Sequence, residues 1–186
     1  QAANVLSHLE YYLQIVWPEL NVNVVSTTEQ WAGAAIAGPK SRDMLSKLYP
    51  DLDVSNDALP FMGYKEADFF SVPSRIFRIS FSGELAYEIN VKSDHGMFMW
   101  EKMMEVGKEF GNQPYGTEAL STLRIEMGHV AGPELDGRTI PSDVSLNGLV
   151  SKKKDFIGKN SLGREAFNVE SRQKIVGLIP IDRKSS

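Results

Sequence analysis

The stretch Phe81-Ser82-Gly83-Glu84-Leu85-Ala86-Tyr87-Glu88-Ile89 places a tight turn between runs of strand-forming residues. Residues 86–91 alternate as a strand after the turn, and residues 64–72 and 74–81 predict two strands before it, joined at Pro73. A carboxylate at Glu84 would project from a rigid scaffold and could accept two parallel N–H bonds from a flat ligand. The alternative interpretation is a turn glutamate that is only exposed to solvent.

Helices and further strands are predicted on both sides of this turn. Upstream, the pattern indicates a helix over residues 6–16, strands over 21–28 and 31–37, and a helix over 40–49. Downstream, it indicates helices over residues 94–110, 117–127 and 161–170 and a strand over 174–181. The first of these downstream helices carries an apolar stripe that we expect to face the core, formed by Met97, Trp100, Met104 and residues 106–110. This mixture predicts an α+β fold with antiparallel or mixed sheets packed against helices.

Composition excludes several classes of protein. The 186 residues allow one domain, or one domain and part of another. The absence of cysteine excludes disulfides, thiolate catalysis and cysteine-ligated metals in this segment. A net charge of −4 argues against a nucleic-acid surface, and no apolar stretch is long enough for a membrane span. Without a signal peptide, a soluble cytoplasmic protein is predicted, and the start at Gln1 suggests a piece of a longer polypeptide.

Arg124 is the second candidate site residue. It lies at the edge of a predicted buried helix face formed by apolar residues at positions 119, 120, 123 and 127. An arginine there can support the core, orient a ligand carboxylate, or pair with Glu118, Glu126 or another nearby acid. No metal site is predicted, because the three histidines are not within ligand spacing of one another: His8, His95 and His129.

Four segments resemble, in order and spacing, motifs of the glycine-cleavage T-protein (aminomethyltransferase) family. Residues 81–89 resemble its YTGExxxE element, and residues 116–128 resemble its G…LRLE.G helix. Residues 31–42, with Gly38-Pro39-Lys40-Ser41, resemble its GP.S turn. Pro141, Leu146 and residues 154–159 resemble its TP…L…K.DFIGK segment. The resemblance implies a truncated aminomethyltransferase folate-binding fold over residues 1–171 that lacks its N-terminal part, followed by the start of a C-terminal barrel at 172–186.

Within that superfamily, residues 116–119 and 135–143 most resemble the α subunits of heterotetrameric sarcosine oxidases. This resemblance implies an enzyme that oxidises sarcosine at a flavin and passes the one-carbon unit to tetrahydrofolate. The products would be glycine, 5,10-methylenetetrahydrofolate and H2O2. The implied partners are folate, a small N-methyl amine and the other subunits, with FAD, FMN and NAD held elsewhere in the holoenzyme.

The resemblance also implies the site residues. Glu84 would hold the pterin edge and Arg124 would line the folate site, with Tyr87 and Glu88 on the same strand as further candidates. No catalytic residue is expected in this chain, since the family's aspartate near folate N5 would lie upstream of Gln1. The fragment alone is therefore expected to be inactive. The chain departs from the family where Phe81-Ser82 replaces Tyr-Thr, which removes one ring hydroxyl.

Three alternatives stay open at the level of sequence. The parent could be a stand-alone aminomethyltransferase or a dimethylglycine dehydrogenase-type enzyme. It could instead be a non-catalytic folate-sensing or assembly module that keeps the fold without turnover. A bare structural module is the third, and it would show no folate-dependent shift in melting temperature.

Overall fold

The computed structural model describes residues 1–179. The chain divides into two compact units, residues 1–120 and residues 121–186. Among the described residues, all four strands lie in the first unit, and the second consists of helical turns and irregular segments. The predicted α+β class is confirmed.

The sheet of the first unit contains β1 (Trp31–Ala37), β2 (Tyr64–Phe69), β3 (Val72–Phe77) and β4 (Ala86–Lys92). The spatial order is β1-β4-β3-β2, and every neighbouring pair is antiparallel. Of the antiparallel and mixed alternatives, the structure therefore has the antiparallel one. β1 pairs with β4 from Trp31 opposite Lys92 to Ala37 opposite Ala86, so the start of β4 lies beside the end of β1.

Helices pack on one face of this sheet. These are α2 (Ser41–Leu48) and α3 (Gly96–Gly107), which contact strands of the sheet. The helix α1 (Ala2–Tyr11), continued by a π-helical turn over Tyr12–Val16, contains no buried residue, and α4 (Thr117–Glu126) crosses the boundary between the two units. Because side chains alternate across a strand, every second strand residue points toward the helices. The core formed in this way contains Ile36, Met44, Leu45, Leu48, Tyr49, Val54, Leu59, Phe69, Ile76, Tyr87, Ile89, Val91, Met99 and Met103.

Two predictions about strands are wrong. Residues 21–27 have no regular secondary structure, and Val22 and Val25 are exposed. Alternating valines cannot form a strand without a neighbour to accept their backbone hydrogen bonds. The turn between β2 and β3 lies at Phe70-Ser71, both with positive φ, and not at Pro73. Pro73 is tolerated inside β3 because it lies beyond the part of β3 that pairs with β4.

The predicted apolar stripe of α3 and the turn that follows it is wrong in part, although Val106 and Phe110 pack against the core as predicted. Met99, Met103 and Gly107 are the buried residues of this helix, whereas Met97 and Trp100 are exposed. Residues 99, 103 and 107 are spaced four apart, which is as good a helical stripe as the predicted one. The helix is apolar on more than one side, so its sequence pattern does not select the inward face.

In residues 121–179, the second unit contains the end of α4 and otherwise short elements. α5 covers Lys159–Leu162, and 3-10 turns cover Gly132–Glu134, Pro141–Val144, Asn147–Leu149 and Glu165–Phe167. The predicted helix over 161–170 is therefore wrong in its extent. Residues 174–179 have no regular secondary structure, so the predicted strand does not form there, and its last two residues lie outside the described part. The predicted domain boundary between residues 171 and 172 stays a prediction.

Candidate functional site

Glu84 lies in the loop of residues 78–85 that joins β3 to β4, which is longer than the predicted tight turn. Gly83 has a φ of +86°, and its N–H donates to the Ser80 hydroxyl at 3.0 Å. The side chain of Glu84 is exposed and makes no hydrogen bond or ion pair with the described residues. Its carboxylate is therefore free to accept hydrogen bonds from a ligand.

The residue after Glu84 is held by the turn that follows β1. The carbonyl oxygen of Leu85 accepts two hydrogen bonds, one from the Gly38 N–H at 2.9 Å and one from the Ser41 hydroxyl at 2.8 Å. Gly38 has a φ of +118°, which disfavours any side chain, and Ser41 is only 4% exposed. Two motifs that are far apart in sequence are thus joined at one peptide group.

The other end of the loop is fixed through Arg78. Its N–H donates to the Gly63 carbonyl at 3.0 Å, and its Nη1 donates to the Leu59 carbonyl at 3.0 Å and to Asn56 Oδ1 at 2.8 Å. Nη2 of Arg42, on α2, donates to the same Asn56 oxygen at 2.7 Å. One amide oxygen therefore ties the helix to the start of the loop. These polar residues are 14 to 22 positions apart, and no local pattern reveals the connection.

Tyr87 and Glu88 lie on opposite faces of β4. Tyr87 is fully buried, and its hydroxyl has no hydrogen-bond partner among the described residues. Burial raises the pKa of Tyr87, while the nearby guanidinium groups of Arg42 and Arg78 act in the opposite direction. Glu88 is half-buried on the other face and accepts a hydrogen bond from Asn90 Nδ2 at 3.1 Å. Of these two candidates, only Glu88 presents a side chain toward solvent.

Arg124, in the second unit, is 6% exposed and forms a two-point contact with Glu134. Nη1 lies 2.9 Å from Oε2 and Nη2 lies 3.3 Å from Oε1, and Nη1 also donates to the His129 carbonyl at 3.2 Å. The Ala131 N–H, and after it the Arg124 guanidinium, hold the pKa of Glu134 below its ordinary value. Of the alternatives from sequence, the structure shows an ion pair.

The surroundings of Arg124 differ from the prediction in two respects. Its partner is Glu134, ten residues further on, and not the same-helix acids Glu118 or Glu126. The predicted apolar face is only partly buried, since Leu120 and Leu123 are half-buried while Ala119 and Met127 are exposed. Among the residues described for α4, Arg124 is the one that is fully buried. Glu84 belongs to the first unit and Arg124 to the second.

The segment of residues 135–143 ends in a charged contact that the sequence pattern did not reveal. Arg172 Nε donates to Asp143 Oδ1 at 3.0 Å, and its Nη2 contacts Asp143 Oδ2 and donates to the Arg138 carbonyl at 2.7 Å. The Arg172 guanidinium, followed by the Ile140 N–H, lowers the pKa of Asp143 from 3.8 to about 2. Asp143 and Arg172 are 29 positions apart, so their contact joins the end of this segment to the chain near residue 172.

A groove of about 570 Å³ also lies in the first unit. It runs along residues 33–37 of β1 to the turn that contains Ser41, and α3 supplies Trp100 and Met104 to its wall. Glu84 does not line it, but the turn that holds Leu85 does.

The histidines form no metal centre within the described residues. The His8 ring contacts Tyr12 with centroids 5.0 Å apart, and His95 lies 3.8 Å from Asp94. Residues 1–179 contain no group of three or more His, Cys, Asp or Glu side chains that could hold a metal ion. In the same part of the chain, every helix is too short or too polar to cross a bilayer.

The chain belongs to the family described as the GCVT N-terminal domain, whose model matches residues 1–154. Within this class, it is 48% identical over 183 residues to the sarcosine oxidase subunit alpha of Corynebacterium sp. (strain P-1), which covers 97% of this chain and 19% of that protein. It is 45% identical over 188 residues to the sarcosine oxidase subunit alpha of Rhizobium meliloti (strain 1021), covering 100% of this chain and 19% of the relative.

A more distant relative is the aminomethyltransferase of Bacillus subtilis (strain 168). It is 35% identical over 167 residues, which cover 88% of this chain and 45% of that protein. The chain thus spans about a fifth of the length of the sarcosine oxidase relatives that it matches.

Proposed function

We propose that this chain is the tetrahydrofolate-binding part of a sarcosine oxidase α subunit. Two findings support the proposal. Relatives with that name are 45–48% identical over almost the whole chain. The family motif that resembles a pterin-binding element forms an anchored loop with an exposed glutamate.

The single observation that carries the proposal is the state of Glu84. Its carboxylate is exposed and has no partner among the described residues, while the backbone on both sides of it is hydrogen-bonded. A 2-amino-4-oxo pterin edge offers adjacent N–H donors in one plane, which match the two oxygens of a carboxylate. The residues present therefore fit the group.

Tetrahydrofolate supplies the nucleophilic N5 that accepts the one-carbon unit, while the protein supplies orientation. Glu84 would fix the plane of the pterin, and Glu88 is the second carboxylate of the same segment. Arg124 could meet a folate carboxylate only if Glu134 released it, since both outer nitrogens of its guanidinium contact that acid. The fully buried Tyr87 would act by positioning β4 and not by touching folate.

At the level of the whole enzyme, sarcosine, tetrahydrofolate and O2 would give glycine, 5,10-methylenetetrahydrofolate and H2O2. FAD, FMN and NAD sites would lie in other regions or subunits, and so would the aspartate near N5. Other subunits and an N-methyl amine are the proposed partners. The cytoplasmic location stays a prediction.

The test is a calorimetric titration of the full-length enzyme with tetrahydrofolate under anaerobic conditions. We expect Glu84→Gln to weaken binding by about tenfold or more, because one charged acceptor is replaced by a group that also carries donors. Glu101→Gln is the matched control, since Glu101 is exposed on α3 and should leave the affinity unchanged. Equal affinities for Glu84→Gln and the wild type would refute the assignment of the pterin site.

The alternatives within the family are separated by substrate. An aminomethyltransferase would act without an amine-oxidising flavin, and a dimethylglycine dehydrogenase-type enzyme would prefer the dimethylated amine. The lower identity of the aminomethyltransferase, 35% against 48%, favours the sarcosine oxidase assignment. A non-catalytic folate module would show a folate-dependent rise in melting temperature without product formation.

A further inference from the structure

We propose, on the basis of that folate-binding function, that Ser41 is a positioning residue for the Glu84 carboxylate. Ser41 is the first residue of α2, and its hydroxyl donates to the carbonyl oxygen of Leu85, the residue that directly follows Glu84. The two residues are 44 positions apart in the sequence. This hydrogen bond therefore fixes the Glu84 loop relative to the first residue of α2.

With the Ser41 hydrogen bond, the backbone is hydrogen-bonded on both sides of Glu84. On the N-terminal side, the Gly83 N–H donates to Ser80. On the C-terminal side, the Leu85 carbonyl accepts from both Gly38 and Ser41. Two donors on one carbonyl fix its direction more narrowly than one donor, because rotation about the Leu85 ψ angle would have to break both bonds. The backbone that carries Glu84 is thereby held at the residues directly before and after it.

The Ser41 hydroxyl does not contact the Glu84 side chain, so any effect of Ser41 on Glu84 must act through the backbone. It is buried and donates to a backbone oxygen. The Gly38 N–H would remain bonded to Leu85 if the hydroxyl were removed, so the loop would keep its course and lose part of its rigidity. Ser41→Ala is thus expected to alter ligand affinity through geometry while the chain stays folded.

The test measures the affinity of the full-length enzyme for tetrahydrofolate by anaerobic calorimetry. We expect Ser41→Ala to weaken binding about fivefold, the usual scale of one neutral hydrogen bond. Ser41→Cys should behave similarly, because a thiol is a weak donor, and it keeps the buried volume nearly filled. The matched control is Ser46→Ala on the same helix, where the hydroxyl is exposed and donates to the Arg42 carbonyl at 3.1 Å. It should leave the affinity unchanged.

A double-mutant cycle with Glu84→Gln decides whether Ser41 acts through Glu84. In the Glu84→Gln background, Ser41→Ala should cause almost no further loss, because the group that it orients is already impaired. An equal loss in both backgrounds would overturn the proposal, and so would unchanged affinity in both Ser41 variants while Glu84→Gln weakens binding. If Glu84→Gln itself has no effect, the proposed folate site fails first.

Discussion

Removing the buried hydroxyl of Tyr87 should stabilise the protein, whereas the same change at Tyr49 should destabilise it. Both rings belong to the core and are at most 2% exposed, so Tyr→Phe leaves the apolar burial of each almost unchanged. The Tyr87 hydroxyl has no partner among the described residues. The Tyr49 hydroxyl lies 2.8 Å from the hydroxyl of Ser74.

The two expected effects have opposite signs and similar size. An unsatisfied buried polar group costs about 1–3 kcal/mol, and a made hydrogen bond contributes about 1 kcal/mol. Tyr87→Phe should therefore raise the free energy of unfolding by about 1 kcal/mol, and Tyr49→Phe should lower it by about 1 kcal/mol. With a urea m-value of about 2 kcal/mol/M, the two midpoints should differ by about 1 M.

The assay is urea unfolding followed by tryptophan fluorescence, with Trp31 and Trp100 as probes in the first unit. If Tyr87→Phe destabilises the protein as much as Tyr49→Phe, the Tyr87 hydroxyl has a partner in solution and its description as unsatisfied is wrong. A loss of folate affinity in Tyr87→Phe at unchanged stability would instead place that hydroxyl in contact with the ligand, as the sequence motif implied.

Three further predictions concern stability. The folded pKa of Asp143 is about 2, below its ordinary 3.8, so its contact with Arg172 stabilises the fold above about pH 4. This contribution is lost as the pH falls from 4 to 2. The melting temperature of Asp143→Asn should therefore vary less over that range than that of the wild type. Met99→Ala should cost about 3 kcal/mol in chemical denaturation, while the exposed Met97→Ala should change stability by no more than about 0.5 kcal/mol, and equal effects would contradict the inward face of α3. Gly38→Ala should lower the free energy of unfolding by about 2 kcal/mol, because a φ of +118° is strained for alanine. The added Cβ would meet no atom within 4 Å, so the loss would come from backbone strain alone. An unchanged denaturation midpoint would refute this.

The sequence was sufficient for the elements with strong local signals. The strand over residues 31–37 and the helix after Gly38-Pro39 were predicted close to their observed bounds. The errors arose where the deciding contact is not local. Residues 21–28 alternate like a strand, but strand formation depends on a neighbouring strand that no local pattern can supply. The turn at Phe70-Ser71 uses positive φ values at two residues that rarely adopt them, so composition pointed to Pro73.

The candidate site shows the same division. The position of Glu84 beside a glycine in a loop between strands could be predicted from the motif. The contacts that hold it could not, because Ser41 and Leu85 are 44 residues apart and Arg42 and Asn56 are 14 apart. For Arg124, the pattern indicated an ionic partner but not which acid, since Glu134 lies beyond the end of the helix.

Because the Gly38 amide donates a hydrogen bond to Leu85, its hydrogen exchange, measured by NMR, reports on opening of the loop. Solvent deuterons can replace that proton only when Leu85 moves away, so its exchange rate measures how often the Glu84 loop opens. A ligand that binds Glu84 should slow exchange at Gly38, because it would reduce how often the loop opens. The amide resonance of Gly38 would then report how much of the Glu84 site is occupied in the assembled enzyme. No label would have to be placed near the pterin.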